Sequence, residues 1–118
     1  MRRDMDTVRR ILATVADAPG PVRLQALTTP DDGLGKVAEH VQLLIEGGYV
    51  QGVVHRDRGI AGEVRRLTWD GQDFLASIED DGVWSEVKRR LVSVGGECAV
   101  SVLKSLAVSV ATGALDVG

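Results

Sequence analysis

Between Asp4 and Ala18 the apolar residues Met5, Val8, Leu12 and Val15 recur every three or four positions, with Arg9, Arg10, Thr14 and Asp17 on the other faces. This spacing predicts an amphipathic helix, and Pro19, Gly20 and Pro21 end it. From Val22 the period shortens to two: Val22, Leu24 and Ala26 alternate with Arg23, Gln25 and Leu27, as in a short half-buried strand. The same LQALTT also suits one helical turn. TTPDDG supplies turn and capping residues, and a second long helix follows from Leu34 with Leu34, Val37, Val41, Leu44 and Ile45 on one face. Gly47 and Gly48 stop it, glycine being the residue that enters the left-handed region without steric cost.

Tyr49 to His55 is rich in β-formers, RDRGIAG makes a loop, and Glu63 to Trp69 returns, so the two segments read as a hairpin. Thr68 is placed to cap a helix whose buried stripe is Phe74, Leu75 and Ile78, and Gly71 in its first turn allows another backbone to come close. EDDG breaks that helix near Asp81. Another begins at Val83 or Trp84, carries Val87, Leu91 and Val94 at helical spacing, and ends at Gly95 and Gly96. A last helix, roughly Glu97 to Thr112, is apolar on most of its circumference, with Ser101, Ser105 and Ser109 aligned along one line.

The order helix, short strand, long helix, two-stranded wing, helix is that of an α+β, winged-helix-like domain, here expected over residues 1–80. Residues 81–118 form a C-terminal extension of two helices that packs on it or makes a dimer interface. Between Ala18 and Leu34 there is hardly room for the separate helix that normally precedes a recognition helix, so that element is expected to be absent or degenerate.

Composition narrows the reading. With 118 residues, 44% of them apolar, the chain can close one modest core. Seventeen acidic against fourteen basic residues leave a net charge of −3, so any site for a polyanion must be local. One cysteine and two histidines are too few for a thiolate or imidazole metal cage, and neither metal nor cofactor is expected. Two aspartates stand where an export signal would have its apolar core, and the run from Cys98 to Ala114 carries Lys104 and hydroxyl side chains. The expected setting is therefore cytoplasmic, without a membrane partner.

The stretches RRDMDTVRRIL at Arg2 to Leu12, VAEHVQLLIEGGYV at Val37 to Val50 and RLTWDGQDFLASIEDDGVW at Arg66 to Trp84 resemble the phage and prophage proteins grouped as domain of unknown function 2513. That resemblance implies a winged-helix-like fold and a phage-linked origin, hence a host-cell cytoplasm. It implies little about chemistry.

The function expected is binding without catalysis, first as a regulatory DNA-binding protein contacting double-stranded DNA. The alternative is a protein-binding inhibitor or adaptor acting on a host complex, such as a defence system. On the long helix, the face opposite the apolar stripe offers Gly35, Lys36, Glu39, His40, Gln42 and Glu46. Lys36, His40 and Gln42 suit DNA, whereas Asp31, Asp32, Glu39 and Glu46 oppose phosphate. The wing contributes His55, Arg56, Arg58, Arg65 and Arg66 against Asp57 and Glu63, a local positive excess. A merely solvated hairpin, its charges discouraging edge pairing, explains the same arginines.

Enzyme signatures are missing: the sequence has no glycine-rich phosphate loop after a strand, no HExxH, no GxSxG and no CxxC. Asp70 with Asp73, or Asp80 with Asp81, read as helix-end carboxylates, and Cys98 as a buried inert thiol. Trp69 and Trp84 are both expected in the core. The apolar C-terminal helices suggest a homodimer, or else the last helix folds back along the first.

Overall fold

A computed structural model describes residues 2–93 and 104–110 of the chain. It contains helix α1 (Met5–Asp17), strand β1 (Val22–Arg23), a one-turn 3-10 helix (Leu24–Leu27), helix α2 (Leu34–Glu46), strands β2 (Val50–His55) and β3 (Ala61–Leu67), and helices α3 (Trp69–Ile78) and α4 (Asp81–Ser93). Residues 104–110 are also helical. The chain divides into two compact units, 1–73 and 74–118.

Helix α1 starts where Asp4 accepts hydrogen bonds from the backbone amides of Asp6 and Thr7 at 3.0 and 3.3 Å, satisfying two of the helix's unpaired donors. Its buried stripe is Thr7, Val8, Ile11, Leu12 and Val15. Met5 is only half-buried, and Ile11, which the sequence pattern skipped, takes the central place.

The three strands form an antiparallel sheet in the order β1-β3-β2. After two residues of strand the chain tightens into the 3-10 turn, which buries Leu24 and Leu27 at the i, i+3 spacing of such a helix and exposes Ala26. Strict alternation put Ala26 inward and Leu27 outward; the turn reverses both. This turn fills the slot of the helix expected to be absent or degenerate, so the element order is consistent with a winged helix. A register shift at Gln51/Gly52 leaves Arg65 unopposed between the pairs Gln51–Arg66 and Gly52–Val64.

Helix α2 buries Val37, Ala38, His40, Val41 and Leu44. It ends at Gly47, and Gly48 turns the chain at φ 79°, a conformation that costs other residues a Cβ clash. Thr68 joins this turn to α3: its hydroxyl donates to the Gly48 carbonyl at 2.5 Å and accepts from the Gly71 amide at 3.1 Å. Gly71 lies so close to the Tyr49 carbonyl oxygen that a Cβ there would overlap it.

Among the described residues of the second unit, Phe74, Leu75, Ile78, Trp84, Val87, Leu91, Ala107 and Val110 are buried. Helix α4 begins at Asp81, two residues earlier than its apolar pattern suggests, because Asp80 accepts a hydrogen bond from the Val83 amide at 2.9 Å and caps it. Lys104 Nζ stands 5.7 Å from the Phe74 ring centre, and Ser105 and Ser109 are exposed. Val94, Gly95, Gly96, Cys98 and Ser101 lie outside the described residues. Among those described, no helix is long and apolar enough to cross a membrane.

Candidate binding surface

The N-terminal ends of α1 and α2 meet in a polar knot that the sequence pattern did not disclose. Asp32, with its side chain 10% exposed, accepts from the Thr7 hydroxyl and the Arg10 guanidinium, both at 3.0 Å, and pairs with Lys36 Nζ at 2.7 Å. Lys36 also reaches Asp4 at 2.8 Å. The backbone amide of Asp32 is held by the Thr29 hydroxyl at 2.9 Å, which fixes the loop between the two helices. The Lys36 ammonium, with help from Arg10 and Thr7, holds the Asp32 carboxyl down at about 2 against an ordinary 3.8, despite the opposing effect of burial. Lys36 likewise holds Asp4 below the usual carboxylate range, and the two aspartates together raise Lys36.

His40 completes the knot from inside. It is 0% exposed, so it belongs to the core and not to the outer face of α2 on which the helical pattern placed it. Its Nε2 accepts from the Asp4 backbone amide at 2.9 Å and its Nδ1 pairs with the Lys36 carbonyl at 2.8 Å. Because Nε2 accepts, the geometry requires the proton on Nδ1. The wrong placement arose because His40 lies one turn before Leu44 and beside Val37 and Val41, at the edge of the apolar stripe; only a partner from α1 decides its side.

These contacts change what α2 presents. Lys36 is engaged by two carboxylates and His40 is enclosed, leaving Gly35, Glu39, Leu43 and Glu46 exposed and Gln42 half-buried. Lys36, the lysine of that face, is thus spent on two carboxylates.

The wing's positive residues do not form one patch either. Arg66 pairs with Gln51 near the base of the hairpin, and its Nε donates to the Gln51 side chain at 2.9 Å, whereas His55 pairs with Ala61 near the tip. Four residues of strand put about 13 Å between these positions. Arg65 and Arg66 border a hollow beside the end of α1, at Val15, Ala18 and Gly20. At the tip His55, Arg56 and Arg58 are exposed, and Arg56 bridges to Glu39 of α2 at 2.7 Å. With both partners nearly half-exposed, that bridge contributes little stability, though it places the wing tip beside α2.

Trp69 is the largest departure from expectation: it is 84% exposed, while Trp84, at 3%, lies in the core as expected. Gly71 was a sequence signal that could have shown this. Two positions along a helix is more than half a turn, so the face that packs Gly71 onto Tyr49 forces Trp69 outward. Trp69, Gln72 and Asp73 line an open groove of about 510 Å³ together with Arg66 and Gln51.

Among the described residues no group of three or more His, Cys, Asp or Glu is arranged to hold a metal ion. No solved structure matches the chain. A Haemophilus influenzae (strain Rd) protein described as "Uncharacterized protein" is 25% identical over 114 residues, covering 93% of this chain and 95% of that protein. Residues 2–97 match the family described as "Hypothetical protein (DUF2513)", and the chain belongs to that family.

Proposed function

We propose that this chain is a non-catalytic binding protein that engages another protein through the outer face of α2 and the adjoining wing tip. The observation that carries this reading is the fate of the hydrogen-bond donors on α2: Lys36 is paired with Asp4 and Asp32, and His40 is in the core. A helix entering the major groove needs donors toward base edges and positive charge near phosphate. This one offers Glu39, Leu43 and Glu46 instead. An exposed leucine beside Gln42 and an ion-paired Glu39–Arg56 is the mixed composition of a protein interface. An adaptor or an inhibitor of a host complex fits this chemistry.

A second reading rests on the tip, where His55, Arg56 and Arg58 are exposed around Asp57 and fit a DNA backbone or minor groove. Gel retardation with a random duplex pool at low salt separates the two. The protein-binding reading expects no shift, and expects Leu43→Arg to abolish capture of the partner that the unaltered chain retains after nuclease treatment. A retarded duplex whose affinity falls with salt and with Arg56→Ala plus Arg58→Ala would overturn it in favour of DNA.

A further inference from the structure

We propose that two copies of this chain associate face to face through Trp69, with Arg66 of each copy against Asp73 of the other. Trp69 opens α3 and, at 84%, is the most exposed of the large apolar side chains among the described residues. Asp73 follows one helical turn later on the same face and borders the same groove. Arg66 reaches that groove from β3, its guanidinium steadied by the Gln51 side chain at 2.9 Å. Trp69 thus shares one groove with a cation and an anion, and among the described residues neither Arg66 nor Asp73 has an ion-pair partner.

That pair of charges selects the occupant. An acidic segment laid on Trp69 would meet Asp73, and a basic one would meet Arg66; each suffers a like-charge contact. A surface bearing both signs, set so that each meets its opposite, suffers none. The chain itself supplies such a surface when rotated about a two-fold axis through the indole, because an isologous contact places residue i on j and j on i. Two indoles then stack offset at the axis, and two Arg66–Asp73 pairs flank them.

Sedimentation velocity of the full chain over a range of concentrations tests this. The unaltered protein should show a reversible monomer–dimer equilibrium, and Trp69→Ala should abolish it with the circular dichroism spectrum unchanged. Arg66→Asp and Asp73→Arg should each weaken the dimer by about tenfold or more, and the doubly exchanged chain should recover most of that loss. A protein that stays monomeric throughout, a dimer that survives Trp69→Ala, or a double exchange no better than either single one would overturn the proposal; survival would place association on another surface, such as the C-terminal helices.

Discussion

Replacing Asp32 by Asn removes one charge from the knot between α1 and α2 while keeping the side chain's size. In the folded chain the Asp32 carboxyl sits at about 2, against 3.8 when free of its partners. At roughly 1.4 kcal/mol per pKa unit, that depression corresponds to at most about 2.5 kcal/mol of stability. Solvent reaches Arg10 and Lys36, whose side chains are 30% and 34% exposed, so screening lowers the expected loss to about 1–2 kcal/mol. The same exposure lets both cations rehydrate, so the cost stays below the 3–5 kcal/mol of a fully enclosed broken pair. Because the folded value lies below the unfolded one, the contribution is intact above about pH 5 and disappears as pH falls through the window from 3.8 to about 2. Urea denaturation followed by circular dichroism, at pH 7, 5, 4 and 3, should show a constant gap between the two proteins down to about pH 5 and a narrowing one below it. A gap under about 0.5 kcal/mol at pH 7, or one that persists undiminished at pH 3, would refute the assignment of Asp32 as the centre of the knot.

Two further substitutions probe the packing. Gly71→Ala should destabilise the chain by about 2 kcal/mol or more, since its Cβ would overlap the Tyr49 carbonyl oxygen, and a melting temperature within a degree of the parent's would show that the backbones are not so close. Trp84→Ala should cost about 3–5 kcal/mol by chemical denaturation, whereas Trp69→Ala at protein concentrations too low for association should change stability by no more than about 0.5 kcal/mol. Equal losses at the two tryptophans would contradict their opposite exposures.

Much of this architecture is written in residues a few positions apart. The amphipathic period, the Thr68 cap, the Gly48 turn and the close-packed Gly71 follow from helix geometry and from the absence of a glycine side chain, and each was readable along the chain. Tertiary structure decided which polar groups are spent internally. His40 meets Asp4 across 36 positions, Thr7 meets Asp32 across 25, and Arg10 meets Asp32 across 22. A polar side chain at the edge of an apolar stripe can be buried or exposed at similar local cost, and only a hydrogen-bonding partner brought by another element makes burial favourable. The strand register separated the wing's charges, and the packing of Gly71 turned Trp69 outward. Sequence periodicity therefore determined the long helices and the hairpin but not the 3-10 turn at Leu24–Leu27, while the long-range contacts that satisfy buried polar groups determined which residues remain available to a partner.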